Sequence, residues 1–592
     1  MRLTTLPRKI MFAALFFAIP LAFSAQAKSQ ATKEPSTEAQ VAYLQGVGAL
    51  KKRNLAGARA AFEKVLRLAP DNPEAHDLLG WVLLAQGEVD NAIAHYNKAV
   101  QLKPSLADAH INLANALIQK RDLNGALREA QTTVRLVPNS ADAYRILGRV
   151  QSFRNNLIDA TQAFKKAVEL APTRADLRDE LGSLLAQQAR YAEAIPEFKK
   201  AIELQPELAS AHLHIGAILL QQKSPQEALT HLKAATTTAP DNAQAHFYLA
   251  QALEQTNKAA EARDELRTVL KLQPNFADAH NRAGLLLQRT ENVAEAVIEF
   301  RKAVELQPEN AEFHNNLGLA LIQVGDASGS ILEFQNALRL RPSDSGYLGN
   351  LGVAYLQRAD FDSAINQFQA ALKVAPRDAT LYYNLGLALK LKDQLADAII
   401  KFRKATELEP TQADAHYTLG VTLWQQGTFD EAVKELRAAI QARPDYAEAY
   451  YTLGTVLKQQ GKLPESADAL KEAIRLQPDF AGAHTTLGAV LHQMGDTAGA
   501  AAEMKAGAEI AKQKTSLQAA TFATNSGRRL LDAGDLDGAI SQFRSAISSV
   551  PSYALAHYQL GFALQRKGER EEAEDEFKKA SELDPSLKPP SH

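Results

Sequence analysis

The sequence is 592 residues long, 46% hydrophobic and 23% charged, a globular composition. Its 66 Lys and Arg against 68 Asp and Glu leave no general field to attract nucleic acid or an anionic membrane. There is no cysteine, which excludes disulfides, thiolate metal sites, thiol catalysis and a lipid-modified N-terminal cysteine.

Residues 1–27 predict a secretory signal peptide. Arg2, Arg8 and Lys9 give a basic start, Ile10 to Phe23 is an almost unbroken apolar run, and Ala25-Gln26-Ala27 supplies small residues at the cleavage spacing. The apolar run is shorter than the ~20 residues that span a bilayer, and no other long apolar stretch exists. The expectation is cleavage after Ala27, export to a periplasm or beyond, and no integral membrane segment afterwards. Residues 28–38 are a polar spacer.

From residue 39 the chain is periodic. Prolines fall at 70, 104, 138, 172, 206, 240, 274, 308, 342, 376, 410, 444 and 478, each step 34 residues. Lys512 holds the next place, and the series resumes at Pro551 and Pro585. The 73 residues from Pro478 to Pro551 are two periods plus five, and the extra five fit residues 515–519. The array therefore divides into repeats 1–14 over 39–514, an insertion and expected hinge at 515–519, repeats 15–16 over 520–587, and a tail over 588–592. With the proline numbered position 32, position 8 is Gly in fourteen of the sixteen repeats, from Gly46 to Gly561. Position 20 is mostly Ala, and position 24 is usually large and apolar, as in Phe62, Phe300 and Phe577.

A glycine inside a helix costs about 1 kcal/mol relative to alanine, so a glycine recurring at one position marks a close approach by a second helix. Position 20 is the small residue opposite and position 24 fills the gap beside it. Proline ends the second helix, because it lacks a donor and restricts the residue before it. Gly87, Gly427, Gly461, Gly495 and Gly534 predict the turn between helices, and Asp90, Asp362, Asp430 and Asp537 are placed as caps of the second helix. Each repeat thus reads as helix A, tight turn, helix B, proline stop. A single such hairpin cannot bury its apolar face, whereas sixteen stacked ones can.

This pattern resembles the tetratricopeptide repeat family, whose signature has a large residue, Leu-Gly, an aromatic, two alanines and a proline at this period. The resemblance covers about nine-tenths of the chain. It implies an all-α, right-handed superhelix of hairpins with helix A lining a concave face that binds other proteins.

Chemistry is sparse. Of fourteen histidines, nine occupy position 4: His76, His110, His212, His246, His280, His314, His416, His484 and His557. Neighbouring helices pack ~8–10 Å apart while ligands of one metal each sit ~2.1 Å from it, so these read as packing residues rather than a metal ladder. No HExxH, Walker or GxSxG motif occurs. The repeats occupy the mature chain, so no enzyme, cofactor or metal is expected.

Function is expected on helix A. Positions 2, 6, 9 and 13 form one stripe at helical spacing, flanked by positions 5 and 12. The stripe carries Asn112, Asn316, Asn350 and Asn384 at position 6, and Gln323, Gln357, Gln425, Gln459 and Gln493 among nine glutamines at position 13. Tyr383, Tyr417 and Tyr451 stand at position 5 and Trp424 at position 12. Amides donate and accept, which suits a peptide backbone, and tyrosine adds apolar area with a hydroxyl. The Asn-Leu-Gly form around Asn316 is similar to the superhelix of O-GlcNAc transferase, which implies a track for extended peptides. The sequence therefore predicts an exported scaffold binding proteins or peptide segments, with residues 311–446 as its hot region. The alternative is a non-catalytic periplasmic subunit of an envelope polysaccharide-synthesis or secretion complex.

Overall fold

The computed structural model describes residues 37–290 and 292–588. The expected signal peptide, most of the spacer and the end of the tail lie outside the described residues. Among the described residues there are thirty-one α-helices and no strand, and no helix is long and apolar enough to cross a membrane. Sixteen hairpins account for them, with one pair of helices fused.

A typical repeat has a 13-residue helix A, such as Ala311–Gln323 in repeat 9, and a 14-residue helix B, such as Ala327–Leu340. In repeat 1 helix A begins at Thr37, so the last two residues assigned to the spacer form its first turn. The packing follows the sequence pattern. Phe62, Phe198, Phe300, Phe334, Phe368, Phe402 and Phe543, all at position 24, are fully buried. Each sits over the glycine at position 8 of its own repeat. A Cβ on Gly352 would lie 2.6 Å from the Phe368 ring, closer than carbon atoms approach, so only glycine lets the ring lie against the backbone.

Among the described residues, the turn between helices puts position 15 in the left-handed region. Gly87, Gly325, Gly427, Gly461, Gly495, Gly534 and Gly568 take it with φ of 74° to 93°. Arg53, Arg121, Asn155, Ala189, Lys223, Asn257, Ala359 and Asp393 adopt it in other repeats, with φ of 56° to 64°. The caps differ from the expected ones. Asp122, Asp326, Asp360, Asp496 and Asp535, at position 16, accept from a backbone N–H three residues on. Asp90, Asp362, Asp430 and Asp537 lie two residues later, inside the first turn of helix B. There they complement the helix dipole and reach cations such as Lys392 and Lys567.

Residues 515–519 form no separate hinge segment. Helix B of repeat 14 and helix A of repeat 15 are one 36-residue helix, Thr497–Asp532. Between Gly507 and Gly527 there is neither glycine nor proline, and with Lys512 in the proline place nothing stops the helix. Met504, Leu517 and Phe522 remain exposed along it.

The described residues divide into two compact units, one ending at Leu306 and the other beginning at Gln307; repeats 1–8 make the first and repeats 9–16 the second. Within each unit, helix A packs on its own helix B, on the preceding helix B and, at many steps, on the next helix A. Away from the fused helix, no two successive B helices make a comparable contact among the described residues. The A helices therefore form the closer-spaced, inner side of each unit.

Candidate functional site on the A-helix face

The stripe is built on helix A of repeats 9 to 13: Ala311–Gln323, Ser345–Gln357, Ala379–Leu391, Ala413–Gln425 and Ala447–Gln459. Many of its residues are engaged with each other. Position 5 of one repeat bonds position 6 of the next. Asn112 donates to Asp77 at 3.0 Å, Asn350 donates to Asn315 at 2.8 Å, and the Tyr383 hydroxyl lies 3.4 Å from Thr418 Oγ1. Arg145 with Glu180 and His214 with Asp179 make the same step. A second ladder joins positions 12 and 13: the Trp424 indole donates to Gln459 at 2.7 Å, and Gln357 donates to the Ile322 carbonyl at 3.2 Å.

Asn316 is buried and has partners within the chain; Gln323 is exposed and also engaged. Gln425 and Gln493 are exposed. The tyrosines are half-buried and stack on neighbours: Tyr417 on Tyr446 with ring centroids 5.0 Å apart, Tyr451 on Phe480 at 4.7 Å, Tyr383 on Phe402 at 5.8 Å. The second partner in two of these pairs is the aromatic residue just after the repeat proline, an element the sequence reading passed over. Tyr446 is further fixed by Asp414, which accepts from its hydroxyl at 3.1 Å, and by Arg443 over its ring. The Arg443 guanidinium and the Tyr446 hydroxyl hold the Asp414 carboxyl below the usual range, against burial, which opposes it.

On this face of Ala379–Leu391, two half-buried polar groups have no hydrogen-bond partner among the described residues. Asn384 is half-buried between these ladders. Lys390, at position 12 of the same helix, is half-buried and its ammonium is pushed down by desolvation. An amide and a cation on the helix that carries Tyr383 can hold carbonyl or carboxylate oxygens. Among the described residues no three His, Asp or Glu side chains could hold a metal ion.

The position-4 histidines are elsewhere, and they have a defined role. In seven repeats the ring bridges three segments. His110 Nδ1 meets Glu129 on helix B at 2.6 Å, and Nε2 meets the carbonyl of Pro104 in the preceding loop at 3.0 Å. His246, His280, His314, His416, His484 and His557 repeat this with Glu265, Glu299, Glu333, Glu435, Glu503 and Glu576. Arg178 does the same with Glu197 and Pro172. The Glu129 carboxylate raises the His110 imidazole above its ordinary range, outweighing burial. The signal was in the sequence. Where position 4 is His or Arg, position 23 is Glu or His; where it is Tyr, Leu or Ala, position 23 is Ala, Gln or Lys.

Family models described as tetratricopeptide repeat match residues 43–107, 180–243 and 350–413, and residues 83–150 and 219–285. A TPR repeat model matches 290–325, 425–461, 454–495 and 527–568, and a further tetratricopeptide model matches 554–587. No curated protein sequence matches the chain. Among solved structures, MamA is 28% identical over 28% of this chain and 96% of its own, with a TM-score of 0.27. YrrB, a TPR protein with an unusual peptide-binding site, is 27% identical over 31% of this chain and 95% of its own, with a TM-score of 0.28. The Cut9–Hcn1 hetero-tetramer of the APC/C is 16% identical over 77% of this chain and 97% of its own, with a TM-score of 0.38. Glycine under a buried ring, the left-handed turn, the proline stop and model matches running from residue 43 to residue 587 lead to one conclusion: this chain is a member of the tetratricopeptide repeat family, whose hairpin arrays serve as protein-interaction scaffolds.

Proposed function

We propose that the chain is an exported, non-catalytic scaffold that holds extended protein segments along the A-helix face of repeats 9 to 12. The observation that carries this is that Asn384 and Lys390, on the helix that carries Tyr383, are both half-buried and without hydrogen-bond partners among the described residues. Half-buried donors with no partner in the chain are open to a ligand, and a peptide carbonyl or carboxylate satisfies them. The rest of the stripe is a rigid frame, because its amides already bond from repeat to repeat, and a rigid frame loses little entropy on binding.

Export rests on the basic start, the apolar run and Ala25-Gln26-Ala27. A subunit of an envelope polysaccharide or secretion complex would use the same face. Tyr417 and Tyr451 lie tilted against Tyr446 and Phe480, however, which narrows the ring area open to a sugar. That favours peptide. Binding to an array of linear peptides tests the reading. The Asn384→Ala, Lys390→Ala double variant is expected to lose at least about tenfold in affinity, roughly 1.4 kcal/mol, with helical content unchanged. Undiminished binding would place the site elsewhere.

A further inference from the structure

In repeats 2 and 6 the histidine bridge has a different partner. His76 Nδ1 lies 2.8 Å from His95 Nδ1, and His212 Nδ1 lies 3.0 Å from His231 Nδ1. The other nitrogens, Nε2 of His76 and His212, face the carbonyls of Pro70 and Pro206 at 2.9 and 3.1 Å. A carbonyl only accepts, so Nε2 carries the proton and Nδ1 of the neutral ring presents a lone pair. A backbone carbonyl on the far nitrogen is the support that orients metal-binding histidines. Among the described residues nothing bonds Nε2 of His95 or His231, so those rings are free to carry their proton there and turn a second lone pair inward.

Two nitrogens each about 2.1 Å from one ion, at an angle near 90°, stand roughly 3.0 Å apart. Both pairs have that spacing. We propose that His76 with His95, and His212 with His231, are two separate binding sites for a divalent late first-row metal ion, with Cu2+ the tightest. The ion takes the place of the proton shared between the Nδ1 atoms, and that proton moves to Nε2 of the helix B histidine. The ion lies off the line between the nitrogens, so the helix B ring rotates toward it. Beside His95 a cleft of about 410 Å3, lined also by Arg59, Glu63 and Asn91, gives room and access. No third protein ligand stands by among the described residues, so water completes the coordination. Glu63 and Arg59 face His95, and Glu227 and Lys199 face His231; each site thus meets one charge of either sign, which leaves the imidazoles to set the affinity. Protons compete for the same lone pairs, so binding weakens as pH falls through the histidine range.

His95→Glu and His231→Glu are the informative variants. Each recreates the His–Glu bridge that seven other repeats already contain, so the fold is kept while the second nitrogen is lost. Calorimetric titration of the full chain with Cu2+ at pH 7.5 is expected to show two tight equivalents above the background common to all variants. One should remain in either single variant and none in the double, with affinity at the altered site reduced at least about tenfold. Electron paramagnetic resonance of the wild-type complex should show two equatorial nitrogens per ion. The metal-free melting curves of the variants should match the wild type. Two tight equivalents surviving in the double variant, or none in the wild type, would overturn the assignment.

Discussion

Residues at two positions set the chemistry of each repeat. The glycine at position 8 and the ring at position 24 were legible because the clash that selects them is local and repeats in register. The histidine bridge was legible only as packing, because its partners stand 19 residues later on helix B and 6 residues earlier in a loop. Asp77 shows what happens when the pattern is broken. Position 24 of its repeat is Tyr96, fully buried with no partner for its hydroxyl, and Asp77 beside it is buried too. Burial first, opposed by the Asn112 hydrogen bond and aided by Asp108 and Glu74, pushes the Asp77 carboxyl up to about 7. A carboxyl raised in the folded state binds its proton more tightly there than in the unfolded chain. Its stabilising contribution is thus full below pH 4 and is lost as pH rises toward 7. Asp77→Asn keeps the acceptor for Asn112 without the charge. It is expected to stabilise repeat 2 more at pH 8 than at pH 5, by on the order of 2 kcal/mol, measured as local hydrogen-exchange protection of residues 73–85. Equal effects at the two pH values would mean that Asp77 titrates normally.

Helices were predicted wherever the proline stop is present, and the one place without it is where the elements differ. With Lys512 in the stop position, the sequence predicts a hinge with five inserted residues behind it. Helix propagation is favourable unless something interrupts it, and no residue between Gly507 and Gly527 does, so the insertion became helix and the two neighbours fused. Lys512→Pro supplies the missing stop inside an exposed stretch. It removes one backbone hydrogen bond and clashes with the preceding turn, a cost of about 3 kcal/mol. Faster amide exchange across 505–520 and an earlier melt of repeats 15–16 are expected. A variant as protected as the wild type would show that this region is not held as one continuous helix. The ladders between successive A helices were illegible for a related reason. They join residues 35 apart, one more than the period, and so depend on how one repeat is rotated on the next rather than on any spacing within a repeat.

Each unit is a one-dimensional stack of repeats packed on their neighbours, so its stability is a sum of repeat and interface terms. Nothing in composition marks the division at Leu306 and Gln307, because the period runs across it unchanged. The face on which function was placed could be read from helical spacing. Which residues on it are free to bind could not, because that depends on the ladders, which occupy Asn112 and Asn350 and leave Asn384 and Lys390. The central claim is that partners are held on the A side, near Asn384. A photo-crosslinking amino acid placed at Gln425, exposed on helix A, or at Glu407, exposed on helix B, compares the two sides directly in cells. Protein adducts formed from Gln425 and absent from Glu407, lost when Asn384 and Lys390 are changed to alanine, are the predicted result; adducts from Glu407 alone, or from both sides alike, would contradict it.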